Sequence, residues 1–424
     1  MFRTLVVRYA NILYIRFTDT FANLPAHTLN SISRTDIFAR LWWVIGYTAG
    51  RLIWPLLAPP PKNQDLRGKV WLYVVSKNNY ESLQFLQNNL PNAVFVAGQH
   101  KQIGIYNKNV NRISTRFKIF YLWQFLPLFW GLIQLKGKRA LRFFDLIYVA
   151  TGYYEISLSA LKKYRPKAII FANDHNTDAR ALLLAAKTLK IKTIYIQHAS
   201  VSISFPPLAF DLNLLEGQDA LDKYNLCGPI TGTVKLIGMP KADSFLAEKN
   251  ISHTITRIGI CANIIDELPP IQELVDTLIS QFPELQFTFR PHPSDNRNFA
   301  FIQEAGKQVK FSDAKTETAF DFLKGQDAII AADSSIHLEA VMLNILSIYY
   351  RFNPTGSLTD YYGYVKNGLS ETAGNLNNLV SLISQYQHNR PEVYKRAQYY
   401  NAVIGTQYEG KSQFLATKYI KEFI

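Results

Sequence analysis

The residues whose types best fit chemistry are Arg290 and His292 in the motif RPHP, which directly follows QFTF, a run typical of a strand. A guanidinium presents a planar pair of N–H groups to phosphate oxygens, and an imidazole donates a hydrogen bond or a proton to developing negative charge. Pro291 and Pro293 restrict the backbone and so hold both side chains in place. The alternative is a solvated loop. Because Arg290, His292 and Pro293 stand together at a strand end, we favour a binding site for a phosphate or a departing nucleotide.

A second candidate is the turn Asp333-Ser334-Ser335, which joins the apolar run AIIAA to a predicted helix opening with IHLEA. Small hydroxyl residues at such a turn cap the helix and leave backbone N–H groups for an anion. Glu339 would lie about one turn inside the helix, within reach of a ribose hydroxyl. Ordinary helix capping is the alternative, so the case for donor binding depends on the turn and RPHP occupying neighbouring strand ends.

Candidate bases stand earlier in the chain. Asp174 and His175 follow the run AIIFA, and His198 follows TIYI and Gln197. Transfer of a group to a hydroxyl needs a side chain within hydrogen-bond reach that takes the hydroxyl proton, and Asp or His can do this. We predict Asp174 or His198 as the catalytic residue and keep His175 as a further candidate. A polar residue that only caps a helix is the alternative for each.

Asp266 and Glu267 in the loop CANIIDELPP form a fourth candidate site. A carboxylate there would act as a nucleophile or stabilise an oxocarbenium ion if the reaction retained anomeric configuration. The favoured alternative is a solvated acidic cap on a helix over 271–281.

The elements that must position these residues alternate between apolar strands and helices of ten or so residues. This rhythm predicts an α/β fold with parallel sheets covered on both faces. It restarts near residue 257, which predicts two Rossmann-like domains facing a central cleft, with ligands at the carboxyl ends of the strands. We predict a basic, Trp-rich segment over 1–68, an acceptor domain over 69–250, a nucleotide-donor domain over 251–390, and a C-terminal helix over 391–424 that packs back on the first domain.

Composition narrows the partners. Of 424 residues, 46 are Lys or Arg and 32 are Asp or Glu, which gives a net charge of +14 and favours polyanionic partners. Without zinc-finger or RNP-like signatures, a membrane or a phosphorylated substrate is preferred over nucleic acid. Two cysteines, together with arginines that interrupt the apolar N-terminus, predict a cytoplasmic protein. P-loop, G-x-G-x-x-G, G-x-S-x-G and H-E-x-x-H motifs are absent.

Two segments approach membrane character. Residues 41–58 contain three Trp but also Arg51, and residues 119–135 are almost uncharged and are followed by four basic residues. Neither is a continuous span of about 20 apolar residues. Both fit a helix lying in the headgroup region of an anionic leaflet, which predicts a peripheral protein on the inner face of the plasma membrane. Helices buried in the first domain are the alternative.

The pairing of RPHP with ADSSIHLEA resembles the second half of GT-B glycosyltransferases of bacterial surface and capsular polysaccharide synthesis. It is similar to the His-Pro and Ser-Ser motifs of sialic acid and Kdo transferases, which use CMP-activated sugars, and to CDP-glycerol glycerophosphotransferases. The likeness extends over residues 193–345 and includes IYIQHAS and VKLIGMPKAD. It implies that His292, Pro293, Ser334 and Ser335 hold the nucleotide and its phosphate.

The same resemblance suggests roles for the bases. In the glycerophosphotransferases a His-Gly pair at the position of QHA supplies the base, and this chain has Ala199 where that family has Gly. In the CMP-sialic acid enzymes an acidic residue of the first domain is the base, which favours Asp174.

We therefore expect a metal-independent glycosyltransferase, without a cofactor, that moves a sugar from a nucleotide-activated donor, CMP-linked by the resemblance, to a glycan or lipid-linked acceptor. Transfer of a polyol phosphate from a CDP-polyol and nucleotide-sugar 2-epimerisation are the alternatives.

Overall fold

The computed structural model describes residues 2–24, 26–57, 63–98, 109–352 and 359–424 and divides into two compact units. The first comprises Met1–Glu216, Ala220–Ile237 and Gln413–Ile424, and the second comprises Gly217–Asp219 and Gly238–Ser412. Ala58, the last residue of one predicted membrane-like segment, lies outside the described residues.

The first unit contains a seven-stranded sheet in which every neighbouring pair is parallel. The order of its strands is β3-β2-β1-β4-β5-β6-β7. Strands such as VWLYV and AIIF are apolar throughout because both faces of the sheet are covered. The strands are β1 Val70–Val74, β2 Ala93–Ala97, β3 Asn111–Arg112, β4 Ala168–Phe171, β5 Lys192–Ile196, β6 Leu212–Leu215 and β7 Thr233–Leu236.

Helices surround this sheet, and the first of them is part of its core. Tyr9 is buried and its hydroxyl donates to Glu155 at 2.7 Å and accepts the Gly152 N–H at 2.7 Å. The α-helices before residue 238 are Phe2–Ile12, Asp19–Ala22, Ala26–Ile32, Ile37–Leu57, Lys77–Asn89, Phe125–Lys136, Lys138–Arg142, Phe144–Ala150, Tyr153–Tyr164, Thr177–Thr188 and Gln218–Cys227, with 3₁₀ turns at Tyr14–Phe17 and Arg116–Gln124.

The second unit contains a six-stranded parallel sheet with the order β10-β9-β8-β11-β12-β13. Its strands are β8 Arg257–Ala262, β9 Gln286–Pro291, β10 Val309–Phe311, β11 Ala328–Ala331, β12 Leu346–Tyr350 and β13 Glu371–Ala373. Its α-helices are Leu268–Gln281, Ala300–Glu304, Ala319–Lys324, Ile336–Met342 and Leu376–Tyr386, with 3₁₀ turns at Pro240–Ala242, Gly306–Gln308 and Tyr394–Tyr399.

Both sheets are doubly wound, which confirms the predicted α/β class with two Rossmann-like domains. The strand order changes direction between β1 and β4 in the first sheet and between β8 and β11 in the second. Ligands of open parallel sheets bind outside the carboxyl ends of the strands at such switch points. The loops that follow these four strands are therefore the places to look for a site.

The structure adds detail within two of the predicted segments. In 1–68, the first helix packs into the core of the first unit through Val6, Tyr9 and Ile12. Within 391–424 only Ser412–Phe423 is α-helical. Gly405 and Gly410 have φ values of 73° and 71°, a left-handed backbone that interrupts a helix.

Candidate functional site

His292 lies in the loop after β9, and its hydrogen bonding sets its tautomer. The Ser294 N–H donates to Nδ1 at 3.1 Å. The proton of the neutral ring is therefore on Nε2, which can donate to an acceptor. Desolvation lowers the pKa of His292, although the Asp295 carboxylate opposes this, so the ring is neutral near pH 7. Pro293 is exposed beside it.

Arg290 is buried and points its hydrogen bonds toward the loop after β10. Its Nη1 donates to the Ser312 hydroxyl at 2.6 Å, and its Nη2 donates to the Glu317 carbonyl at 2.8 Å. Burial lowers the pKa of Arg290. The sequence predicts that the Arg290 guanidinium binds phosphate. In this structure its Nη1 and Nη2 groups instead donate to Ser312 and Glu317. A phosphate would have to use the remaining N–H groups of the guanidinium or replace these bonds.

Arg297, which sequence analysis missed, ties the loops after β8 and β9 together. It pairs with the buried Asp295 carboxylate at 2.6 Å and donates to the Asn263 carbonyl at 3.0 Å and to the Asp266 carbonyl. The signal was the run Ser-Asp-Asn-Arg that directly follows RPHP. This clamp fixes the strand-end loop that carries His292.

Asp266 and Glu267 have different surroundings. Asp266 is buried, and its carboxylate accepts the Asn263 N–H at 2.6 Å. Burial raises the pKa of Asp266 to about 7, and the nearby carboxylates of Asp333 and Asp295 add to the rise. Glu267 is exposed at the start of the helix Leu268–Gln281 and makes no side-chain capping bond. Asp266 is therefore not the solvated cap that its sequence context favours, and its pKa suits proton transfer near neutrality.

The turn after β11 lies at the switch point of the second sheet. The Asn263 amide donates to the Asp333 carbonyl at 3.4 Å, so the loops after β8 and β11 touch. The Asp333 carboxylate accepts the Tyr349 hydroxyl at 2.9 Å and the Tyr361 N–H, and burial raises its pKa. Ser334 accepts the Ile336 N–H at 3.4 Å, and both serines are half-buried.

Glu339 is buried on the following helix and forms an ion pair with Lys241, a residue that sequence analysis missed. Lys241 belongs to the 3₁₀ turn within VKLIGMPKAD. His337, on the same helix, is structural: its Nε2 donates to the Ala332 carbonyl at 2.8 Å and its Nδ1 accepts the Ser347 hydroxyl at 2.6 Å. Burial lowers the pKa of His337 to about 4, so it stays neutral.

In the first unit, Asp174 and His175 form a hydrogen-bonded pair in the loop after β4. The His175 Nδ1–H donates to Asp174 Oδ1 at 2.9 Å, which leaves Nε2 of the half-buried ring as a proton acceptor. Tyr224 donates to the other oxygen of Asp174 at 2.6 Å. Burial acts to raise the pKa of Asp174, but His175, Tyr224 and the charge of Arg180 outweigh it and hold the pKa below the ordinary value. Asp174 thus orients the imidazole of His175.

His198 follows β5 and has a different partner. The Asn79 amide nitrogen donates to His198 Nε2 at 3.1 Å, and the Asn79 carbonyl oxygen accepts the Val75 N–H at 3.3 Å. The bond occupies Nε2, so the proton of the neutral ring is on Nδ1. The structure therefore pairs Asp174 with His175 and His198 with Asn79. Among the described residues, no group of three or more His, Cys, Asp or Glu side chains is placed to hold a metal ion.

No protein-family model and no curated protein matches this sequence. Solved structures match its fold. The UDP-GlcNAc 2-epimerase from Methanocaldococcus jannaschii is 13% identical with a TM-score of 0.53, and the match covers 84% of this chain and 99% of that one. The UDP-GlcNAc 2-epimerase from Neisseria meningitidis bound to UDP-GlcNAc is 12% identical with a TM-score of 0.51, and the match covers 84% of this chain and 100% of that one. The glycotransferase of kitacinnamycin is 11% identical with a TM-score of 0.52, and the match covers 86% of this chain and 99% of that one. These likenesses show a GT-B-like fold.

Proposed function

We propose that this chain is an enzyme that acts on a nucleotide-activated sugar and transfers the sugar to an acceptor hydroxyl. The observation that carries this proposal is the Asp174–His175 pair at the switch point of the first sheet. A base oriented by a buried carboxylate is what the deprotonation of a hydroxyl requires. The GT-B-like fold, shared with epimerases and a glycosyltransferase, supports a nucleotide-sugar substrate.

In this proposal His175 Nε2 takes the acceptor proton as the acceptor oxygen bonds to the anomeric carbon. The bond between that carbon and the phosphate oxygen breaks, and its electron pair leaves with the nucleotide. For the second unit, we propose that His292, with a proton on Nε2, donates a hydrogen bond to a phosphate of the nucleotide. We propose that the phosphate and the ribose are held by Ser334, Ser335 and Glu339. Glu339 would leave its ion pair with Lys241 to bind the ribose.

The finer features of the donor and acceptor are proposals that rest on the motif resemblance. We propose a CMP-linked or CDP-linked donor, a glycan or lipid-linked acceptor, and a role in bacterial surface polysaccharide synthesis at the inner face of the membrane. The fold neighbours include structures bound to UDP or UDP-GlcNAc, so the nucleotide is the feature that most needs measurement.

Replacement of the proposed base is the decisive experiment. We expect His175→Gln to lower turnover of the donor by about two to four orders of magnitude, the usual contribution of a positioned base, while nucleotide affinity stays unchanged. His198→Gln is the matched control, because it alters a second strand-end imidazole that is bound to Asn79. Mass spectrometry of products and calorimetry of nucleotide binding give the two readouts. Full activity of His175→Gln together with loss in His198→Gln would transfer the role of base to His198.

Nucleotide-sugar 2-epimerisation is the second candidate, and the fold likeness to several UDP-GlcNAc 2-epimerases favours it. Inversion at C2 needs a base that removes the C2 proton, and the solvent exchanges with the proton that returns. Donor incubated in D₂O without an acceptor therefore separates the two reactions. Deuterium at C2 with a 2-epimer product supports the epimerase, whereas an unlabelled donor and acceptor-dependent release of nucleotide support transfer.

A further inference from the structure

The first unit exposes a continuous apolar stripe along residues 117–130. In the 3₁₀ turn Arg116–Gln124, side chains three apart share one face, which places Phe117, Phe120 and Trp123 together. The α-helix Phe125–Lys136 extends this face with Leu126 and Trp130. The exposed fractions of the last four side chains are 69%, 69%, 73% and 63%. A helix on the surface of a water-soluble protein normally carries polar residues on its outer face. The exposure of these apolar side chains therefore needs another explanation.

The opposite face of the helix Phe125–Lys136 accounts for its packing. Leu128 and Leu132 are buried in the core of the unit. Gly131 approaches the first helix so closely that an added Cβ would lie 2.3 Å from a methyl of Val6. The helix is therefore anchored by one face and presents the other outward, and the exposed stripe is not left over from incomplete packing.

The helix Ile37–Leu57 lies beside this segment and exposes a second apolar face. Its Arg51 donates to the Thr115 hydroxyl at 2.8 Å, and its Tyr47 hydroxyl accepts from Lys118 at 2.9 Å. Outward side chains recur along it at helical spacing, each more than half exposed, and include Phe38, Trp42, Ile45 and Leu52. Two adjacent segments of the same unit thus share an apolar, Trp-rich surface.

Within these two segments the charge has one sign. Residues 37–57 and 116–142 contain no Asp or Glu, whereas 116–142 contains six Lys or Arg. Of these, Lys136 and Lys138 are exposed directly after the apolar stripe. Among the described residues, no helix is both long enough and apolar enough to cross a bilayer. An apolar face bordered by cations, without a spanning helix, fits insertion into the headgroup region of an anionic leaflet.

We propose that Phe117, Phe120, Trp123, Leu126 and Trp130, together with the outer face of Ile37–Leu57, form a membrane-binding surface for anionic lipid. A second copy of the chain fits less well, because a two-fold contact would press two segments that contain cations and no acidic residue against their own copies. The surface uses no residue of either strand-end site. Its test is therefore independent of the proposed reaction and needs no donor.

The experiment is cosedimentation of the full chain with vesicles of phosphatidylglycerol and phosphatidylcholine in equal parts, against pure phosphatidylcholine. We expect binding to the anionic vesicles that added salt weakens, and Trp emission that shifts to shorter wavelength. The triple variant Phe120→Ser, Trp123→Ser, Trp130→Ser should bind on the order of a hundredfold more weakly. The control variant Leu226→Ser, Ile251→Ser, Phe414→Ser changes three apolar residues elsewhere, each more than half exposed, and should bind like the parent.

Sedimentation velocity of the same proteins without lipid completes the test. A parent dimer that the triple variant converts to monomers, with no binding to anionic vesicles, would overturn the proposal in favour of a second copy. Equal loss in both triple variants would overturn it too, because the effect would then follow apolar exposure in general. Binding that ignores lipid charge and salt would remove the anionic leaflet as the partner.

Discussion

At the scale of single residues, the structure gives the candidate bases different hydrogen-bond partners. The sequence offers Asp174 and His198 as the main candidates, with His175 beside them. Both oxygens of Asp174 accept hydrogen bonds, from His175 and Tyr224. A carboxylate held in this way is better suited to orienting an imidazole than to taking a proton itself. The sequence does not indicate this difference between Asp174 and His175, because the difference depends on the contact of Asp174 with Tyr224.

Asp266 gives a pH dependence that can be measured without knowing the substrate. Burial raises its pKa in the folded state to about 7, from an ordinary value of 3.8. The folded state therefore holds a proton that the unfolded state has lost between these values, and stability falls as pH rises from about 4 to about 7. We expect Asp266→Asn to remove this loss, on the order of a few kcal/mol at pH 8. Urea denaturation at several pH values gives the measurement.

Glu267→Gln is the matched control for that prediction, because the neighbouring carboxylate is exposed. Its unfolding free energy should follow that of the parent at every pH. If Asp266→Asn and the parent show the same pH dependence between about 4 and about 7, then the Asp266 carboxylate is ionised throughout and its proposed proton affinity is wrong.

At the scale of elements, the strands were predicted well because burial on both faces gives them short, continuous apolar runs. The runs AIIFA, TIYI, QFTF and AIIAA correspond to the strands Ala168–Phe171, Lys192–Ile196, Gln286–Pro291 and Ala328–Ala331. The edge strands Asn111–Arg112 and Glu371–Ala373 contain no apolar run, since their sequences are NR and ETA. Only pairing with a neighbouring strand defines them.

The first helix gives the prediction at this scale. Tyr9 is buried between Glu155 and Gly152, and its hydroxyl makes a hydrogen bond to each at 2.7 Å. Tyr9→Phe keeps the ring but leaves a carboxylate and a backbone N–H without this partner. We expect a loss of about 1–3 kcal/mol in the free energy of unfolding, measured by urea denaturation.

Tyr408→Phe serves as the control, since Tyr408 is partly exposed. It should change the unfolding free energy by less than about 0.5 kcal/mol. Equal, small effects of the two substitutions would show that the hydrogen bonds of the Tyr9 hydroxyl do not stabilise the first unit.

At the scale of the whole molecule, the fold by itself does not select a reaction. Epimerases and a glycosyltransferase share this architecture with the chain at identities of 11–13%. One fold carries different reactions because function depends on the side chains at the strand ends. The identity of the nucleotide is therefore a separate question from the architecture.

Thermal denaturation in the presence of nucleotides addresses that question. A ligand that binds only the folded state stabilises it by mass action, by about 2.7 kcal/mol at a hundred times its dissociation constant. If the motif resemblance identifies the donor, CMP or CDP should raise the melting temperature more than UDP, GDP or ADP at equal concentration. Selective stabilisation by UDP would contradict this and favour the branch to which the UDP-bound neighbours belong.

The sequence by itself determined the two parallel sheets and the strand ends at which RPHP, the Asp-Ser-Ser turn and Asp174–His175 stand, because apolar periodicity is a local property. Only the tertiary structure decided what these side chains contact. Arg290 turns to Ser312 and Glu317, Asp266 is buried near Asp333, and Arg297 joins two loops. Arg290 and Asp266 lie 22 to 67 residues from these neighbours in the sequence. Their hydrogen bonds and the desolvation of a carboxyl group depend on packing between distant segments, which no local pattern encodes.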